Sequence, residues 1–171
     1  MNSRPRMILL HGAAVAANGG AWLFMAPSET GKSTLSRRLS PYARILVDDR
    51  AVIHPGEGEW LVASADGYNF LDPLPEDALS GGLPLRAVFR LYRSRRPRLE
   101  ALSALQTCRC LTEAFFHFYW QKDYPIGEKR GAFAELAAMA RAIPGYRLYF
   151  NRSPKTIDLL VPIIDTSAPM R

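Results

Sequence analysis

Cysteine is scarce in this sequence, whose 171 residues include only Cys108 and Cys110. A single residue separates the two, so a disulfide between them is geometrically poor, and two ligands do not make a zinc site. We therefore expect reduced, partly buried thiols, which are typical of a cytoplasmic protein.

Long apolar runs are absent as well. The apolar segment 7–10 follows the basic residues Arg4 and Arg6 but breaks at His11 and Gly12, so it is too short for the apolar region of a signal peptide. No stretch approaches the ~20 apolar residues of a membrane span. The sequence predicts a cytoplasmic protein with no membrane partner.

Acidic residues are missing from one segment and concentrated in another. Residues 78–99 hold six arginines and no acid, whereas residues 48–77 hold eight acids and only Arg50 as a base. The net charge of +6 is therefore segregated along the chain, which favours a phosphate and metal site over a uniform nucleic-acid surface.

The length and the apolar content of 48% predict one domain over residues 1–171 and exclude collagen-like, disordered and disulfide-scaffold classes.

Apolar periodicity predicts an α/β fold with a mixed sheet. Short apolar runs bounded by turn residues predict strands at 7–10, 13–17, 21–25, 43–47, 51–54, 59–63, 85–92 and 146–150. Helical spacing predicts helices at 32–39, from residue 99 through 118, at 133–143 and at 153–160. Residues 64–84 are rich in glycine and proline, which predicts a long loop.

The segment 26–34, with the sequence A-P-S-E-T-G-K-S-T, matches the phosphate-loop pattern G-x-x-x-x-G-K-[ST], except that Ala26 replaces the first glycine. A predicted strand leads in and a predicted helix leads out, so backbone N–H groups of the loop would point at phosphates. Lys32 would then reach the β- and γ-phosphates of ATP, and the Ser33 hydroxyl would bind Mg²⁺. The candidate nucleotide-binding residues are Pro27, Ser28, Glu29, Thr30, Gly31, Lys32, Ser33 and Thr34. The alternative is an ordinary strand–turn–helix with a plain turn glycine and a solvated lysine.

Two carboxylates, Asp48 and Asp49, follow the predicted strand 43–47. This arrangement has the form of a Walker B element, in which an Asp at a strand end holds Mg²⁺ directly or through water. Adjacent strand residues point to opposite faces, so one carboxylate can bind the metal while the other faces an acceptor. Asp49 is the candidate metal ligand beside Ser33, and a solvated strand end with a turn is the alternative.

The histidines carry weaker signals. His11 precedes Gly12 at the end of the first predicted strand, where a histidine is more often a turn or core residue than a catalytic one. His54 and His117 have still weaker contexts, and His117 is expected to pack because it lies in the aromatic run 115–120. Such a run is typical of a core or of the face of a homo-oligomer.

Four features of residues 8–54, taken in order, resemble the HPr kinase/phosphorylase family: His11-Gly12, a hairpin, the segment P-S-x-x-G-K-S-T, and V-D-D-R. The sequence is most similar to the short HPr-kinase-related serine kinases, which also have a strand like residues 83–91. The resemblance implies a single-domain kinase core with the phosphoenolpyruvate-carboxykinase-like phosphate-loop fold. It also implies Mg-ATP-dependent phosphate transfer to a serine-type hydroxyl of a peptide, protein or small molecule.

Roles for individual residues are implied by the same resemblance. Lys32 and Ser33 would contact phosphate and metal. One of Asp48 and Asp49 would act as base or acid toward the acceptor, the other would assist the metal, and His11 would tune the first. Alanine and glutamate stand at positions 26 and 29, where the family has loop glycines, so the alternative is a nucleotide-binding module without kinase turnover.

Arginines dominate residues 86–98. Arg86 and Arg90 would share a face of the predicted strand 85–92, so one of them could contact the transferring phosphate or the acceptor. The run 93–98 fits either a solvated loop or a site for an acidic acceptor peptide. A basic nucleic-acid-binding accessory protein is a further alternative, but no nucleic-acid motif accompanies the run, so nucleic acid is not an expected partner.

Overall fold

The computed structural model describes residues 7–67, 82–119 and 126–166. The strands are β1 (Ile8–His11), β2 (Ala13–Ala17), β3 (Gly20–Met25), β4 (Arg44–Val47), β5 (Arg50–Pro55), β6 (Trp60–Ser64), β7 (Leu83–Arg93), β8 (Arg98–Leu102) and β9 (Gly145–Phe150). The helices are α1 (Lys32–Arg38), α2 (Ala104–Tyr119), α3 (Ile126–Ala142) and α4 (Pro154–Thr166). Most of the loop predicted at 64–84 lies outside the described residues.

The strands form one sheet in the order β1-β5-β6-β7-β3-β2-β4, and β9 pairs with both β7 and β8. β3 and β9 run parallel to β7, whereas the other pairs among the described strands are antiparallel. The fold is therefore mixed α/β with a mostly antiparallel sheet, and the predicted mixed sheet is confirmed. Within the described residues, no helix has both the length and the apolar character that crossing a bilayer requires.

Strand β3 is buried on both faces because helices cover both sides of the sheet. Trp22 and Phe24 belong to a core that includes α1 and α4, whereas Leu23 and Met25 belong to a core that includes α2 and α3. Burial on two sides explains why this strand is a continuous apolar run. The buried strand also fixes the position of the 26–34 loop that follows it.

The β2–β3 hairpin places the end of β1 beside that loop. Asn18 and Gly19 have φ values of +48° and +71°, and both are left-handed, as a tight type I′ turn requires. A Cβ added to Gly12 would lie 2.9 Å from the Phe24 carbonyl oxygen. Glycine at this position therefore allows the close backbone approach that puts His11 next to the end of β3.

The apolar run 43–47 favours a buried strand, but the structure places this strand at the edge of the sheet. Among the described strands β4 pairs only with β2, and Ile45 is 41% exposed. An apolar run predicts extended backbone, but it does not determine how many neighbours the strand has. Asp48 and Asp49 therefore follow an edge strand, outside the middle of the sheet.

The prediction of a helix from residue 99 is also wrong over its first residues. The segment Arg98–Leu102 is strand β8, which runs antiparallel to β9, and Leu99 packs against the core. Helix α2 begins after Ser103, whose Oγ accepts the Gln106 N–H at 3.3 Å while the Gln106 Oε1 accepts the Ser103 N–H at 2.9 Å. This capping box is visible in the sequence and marks where the helix starts.

Candidate active site

The 26–34 loop reverses from β3 into α1 through two left-handed residues. Glu29 has φ +63° and Gly31 has φ +113°, and Thr30 Oγ1 donates to the Pro27 carbonyl at 2.8 Å. Gly31 is the N-cap of α1, and its backbone conformation favours glycine. The Glu29 side chain is exposed, so its carboxylate lies at the loop surface.

The other residues predicted to bind nucleotide lie on or near the surface of the same loop. Pro27, Ser28 and Thr34 are exposed, whereas Thr30 and Ser33 are half-buried. Their accessibility leaves the loop open to a ligand on its outer side.

Three acceptors surround the Lys32 ammonium. Its Nζ donates to the Ala26 carbonyl at 2.9 Å and to the Pro27 carbonyl at 3.1 Å, and it lies 2.9 Å from His11 Nε2. Burial lowers the pKa of Lys32, while Asp49 opposes this shift. Ala26 thus binds the Lys32 ammonium through its carbonyl oxygen. A glycine at this position would offer the same backbone oxygen.

His11 connects Lys32 to Asp49. Because Nε2 accepts from the lysine, the neutral ring carries its proton on Nδ1, which lies 3.1 Å from Asp49 Oδ1 without the alignment of a good hydrogen bond. Burial lowers the pKa of His11 to about 4; Lys32 and His117 add to the shift, and Asp49 opposes it. The ring is therefore neutral at pH 7 and links an ammonium to a carboxylate.

His117 belongs to the site, although its sequence context predicts packing alone. This exposed residue of α2 stacks on His11 with ring centroids 3.8 Å apart and an interplanar angle of 15°. Phe118 meets the same ring edge-on at 5.6 Å. Helix α2 therefore covers the imidazole that joins the lysine to the carboxylate.

Asp66 organises the turn that carries the two predicted carboxylates. Its side chain accepts the backbone N–H groups of Asp48 at 2.6 Å, Asp49 at 3.1 Å and Arg50 at 2.9 Å. Ser64 Oγ donates to the same carboxylate at 3.0 Å. The side chains of Asp48 and Asp49 are exposed, and the capped turn fixes where they leave the backbone.

The two predicted arginines of β7 lie in different places. Arg90 pairs with the last residue of β3, and its Nη2 lies 3.0 Å from Glu113 Oε2 of α2. Arg86 packs against the first residue of β3, and its Nη1 lies 3.0 Å from Glu59 Oε1. The fold thus brings Arg90, and not Arg86, to the 26–34 loop.

The side chain of Arg93, at the end of β7, binds backbone carbonyl groups of the 26–34 loop. Its Nε donates to the Thr30 carbonyl at 2.9 Å and its Nη2 to the Glu29 carbonyl at 2.7 Å. A cavity of about 750 Å³ opens beside this clamp, with Phe150 and Arg152 in its walls. The first arginine of the run 93–98, for which a solvated loop is one of two interpretations, therefore contacts the candidate phosphate loop.

Sequence reasoning missed four residues that touch the predicted ones: Asp66, Arg93, Glu113 and His117. Asp66 lies in the acidic stretch 48–77 and Arg93 in the arginine-rich segment, so charge patterning indicated their neighbourhood but not their partners. The other two lie on α2, and no spacing rule connects that helix to residues near position 11 or 90.

One protein family matches most of the chain. The family described as SynChlorMet cassette protein ScmC matches residues 2–155. The chain belongs to the ScmC family. No curated protein matches the chain, and the ScmC description names no reaction.

Among solved structures, the chain is similar to the Hpr(Ser) kinase/phosphatase from Coxiella burnetii. The identity is 12%, the match covers 92% of this chain and 88% of that chain, and the TM-score is 0.48. At that level the similarity does not bear on activity, so the site geometry has to support any function.

Proposed function

We propose that this chain is a Mg-ATP-dependent kinase that transfers the γ-phosphate to a serine-type hydroxyl of a peptide, protein or small molecule. The observation that carries the proposal is the contact chain Lys32–His11–Asp49, with distances of 2.9 and 3.1 Å. Its members come from three separate sequence segments. A lysine and a carboxylate in contact through a neutral imidazole are groups that phosphoryl transfer uses for charge stabilisation and proton transfer.

The 26–34 loop has the features that a triphosphate would need. The first N–H groups of α1 have no acceptor within the helix, and the Lys32 ammonium contacts the Ala26 and Pro27 carbonyls, where the loop begins. Arg93 donates to carbonyl oxygens of the loop, so it does not compete for those N–H groups. The adjacent cavity of about 750 Å³ offers space for the nucleoside beside Phe150.

The residues present also fit Mg²⁺. Ser33 and Asp49 would supply oxygen ligands, and Mg²⁺ is usually held by one or two carboxylates together with substrate phosphates and water. The described residues contain no group of three or more His, Cys, Asp and Glu that could hold a metal by themselves. When bound, the ion would neutralise charge on the phosphates.

Side chains of this protein would accept the proton and stabilise the charge that develops during phosphate transfer. In the transfer, the acceptor oxygen forms a bond to the γ-phosphorus, the bond to the β,γ-bridging oxygen breaks, and ADP leaves. The hydroxyl proton passes to Asp48 or Asp49. A neutral His11 leaves the positive charge on Lys32, which would exchange one of its three acceptors for a phosphate oxygen when ATP binds, and Arg90 would add a second positive charge nearby.

Transfer of labelled γ-phosphate by the purified protein tests this proposal, with serine-containing peptides from a lysate digest as acceptors and mass spectrometry of the products. Lys32→Met should lower the rate by about 10²-fold or more, whereas Lys155→Met, at an exposed position of α4, should leave it unchanged. Transfer that survives Lys32→Met would contradict the proposal.

The Mg²⁺ dependence of the transfer rate distinguishes the roles of the two carboxylates, Asp48 and Asp49. The variant that raises the Mg²⁺ concentration for half-maximal rate identifies the metal partner, and the variant that stops transfer with ATP binding intact identifies the base. Asp48→Asn and Asp49→Asn are the variants, and Asp158→Asn, at an exposed position of α4, is the control. Full activity in both variants would remove the carboxylates from the mechanism.

A nucleotide-binding module without turnover is the second candidate, and Glu29 favours it. This carboxylate occupies a left-handed position of the loop where glycine is the easier residue. Calorimetry that detects ATP binding, together with no transfer to any offered acceptor, would support the module over the kinase.

A further inference from the structure

A partly exposed surface of arginine and tyrosine lies beside the 26–34 loop on strands β7, β9 and β8. We call it the Arg–Tyr face and define it by Tyr92, Arg98, Arg147 and Tyr149. The register places Tyr92 opposite Tyr149, and Tyr149 opposite Arg98, so these side chains share one side of the sheet. Tyr92 is 37% exposed and the Arg98 side chain is 48% exposed.

The side chains of the Arg–Tyr face hold one another in place. The Arg98 guanidinium carbon lies 3.4 Å from the centre of the Tyr149 ring, and that of Arg147 lies 5.6 Å from the centre of the Tyr92 ring. The two rings are 5.5 Å apart. Stacking orients the guanidinium planes and leaves N–H edges for an anion, so less ordering is needed when a ligand arrives.

Positive charge exceeds negative charge on this surface. Arg98 and Arg147 share the Glu100 carboxylate at 2.9 and 3.6 Å. Two neighbouring arginines share the Glu113 carboxylate in the same way. Because exposed ion pairs contribute little to stability, a carboxylate from a ligand can join or replace these pairs at small cost.

A groove joins the Arg–Tyr face to the candidate phosphate loop. Its volume is about 330 Å³, and its lining includes Pro27 and Ser28 of the loop together with Arg90 and Tyr92 of β7. From β3 through β7 and β9 to β8 there are three strand spacings, which is about 14 Å at ~4.8 Å each. An extended peptide covers that distance with about four residues.

We propose that the Arg–Tyr face binds an acidic segment of the acceptor polypeptide, about three to five residues from the hydroxyl that receives phosphate. This inference rests on the proposed kinase function and names its substrate class. Carboxylates match the donors of Arg98 and Arg147. Single-stranded nucleic acid would require open ring faces for base stacking, whereas Arg98 covers one face of Tyr149 and Tyr92 lies next to the same ring.

Fluorescence anisotropy without nucleotide tests binding separately from catalysis. The probes are labelled decapeptides with one serine and a Glu-Glu pair four residues before or after it, together with matched Gln-Gln peptides. The wild-type protein should bind one Glu-Glu peptide about tenfold more tightly than its Gln-Gln partner. Arg98→Gln combined with Arg147→Gln should abolish this preference, and Arg44→Gln combined with Arg141→Gln, at exposed positions elsewhere, should not.

A gain-of-binding variant guards against loss through misfolding. Glu100→Gln removes the carboxylate that competes with the ligand, so it should tighten binding of the Glu-Glu peptide. Equal binding of Glu-Glu and Gln-Gln peptides would overturn the proposal, as would tighter binding of a dodecathymidylate oligonucleotide through the same arginines.

Phosphate transfer to the same peptides separates the two proposals. Equal transfer to Glu-Glu and Gln-Gln peptides would overturn the role of the Arg–Tyr face and leave the kinase function standing. Acid-selective binding without any transfer would support the face as an acidic-peptide site and contradict the kinase function.

Discussion

Acidification should weaken the fold through His11. Burial is the main reason why the pKa of His11 is lowered from 6.5 to about 4, so the folded ring stays neutral at a pH where the unfolded ring takes up a proton. The contribution of a neutral His11 to the free energy of unfolding is therefore complete above pH 6.5 and is lost as the pH falls toward 4. The lowered pKa corresponds to about 3 kcal/mol in full, and to about 2 kcal/mol between pH 7 and pH 5.

Urea denaturation of the wild-type protein and of His11→Gln at pH 7, 6 and 5 measures this effect. Glutamine keeps an acceptor for Lys32 but does not titrate. Between pH 7 and pH 5, the free energy of unfolding of the wild-type protein should fall by about 2 kcal/mol more than that of the variant. For a chain of this size, that difference corresponds to a shift of about 4–8 °C in the midpoint of thermal unfolding. Equal slopes against pH would refute the argument that a buried, neutral His11 is part of the folded state.

The other predictions concern single residues with a defined geometry. Glu29→Gly should raise stability by about 0.5–1 kcal/mol, because it relieves the left-handed strain, and should tighten ATP binding in calorimetry; Glu29→Gln should keep the strain and change only the binding. Gly12→Ala should lower the free energy of unfolding in urea by about 1–3 kcal/mol, since its Cβ would meet the Phe24 carbonyl oxygen at 2.9 Å; a wild-type value would contradict that close approach. Asp66→Ala should melt below Asp66→Asn, which retains one acceptor for the 48–50 turn, and equal melting would deny the cap its role.

Local sequence patterns predicted much of the fold near the candidate site. The apolar run of β3, the glycine turn before it and the helix after Gly31 all depend on residues close in sequence, and they appear where expected. The predictions failed where pairing between distant strands determines the secondary structure of a segment. Leu99 fits a helical spacing, yet its segment pairs with β9, and the capping box at Ser103 was the local sign of the correct helix start.

The candidate site was predicted as a set of motifs, without the contacts that join them. His11, Lys32 and Asp49 were singled out from separate segments, whereas the order in which they touch follows from the β2–β3 hairpin and the close approach at Gly12. Arg86 and Arg90 were equivalent in the sequence. Their difference arises because a strand of this length carries them to opposite ends of β3.

By itself, the sequence determined the elements and the chemical groups: an apolar strand, a glycine before a lysine, two adjacent carboxylates and a surplus of arginine. These properties are encoded within a few residues, because backbone preference and side-chain chemistry act locally. Only the tertiary structure decided which groups meet, such as His117 on His11, Asp66 under the 48–50 turn, and two tyrosines between arginines. Those contacts depend on strand order and helix packing, which bury surfaces from distant segments together.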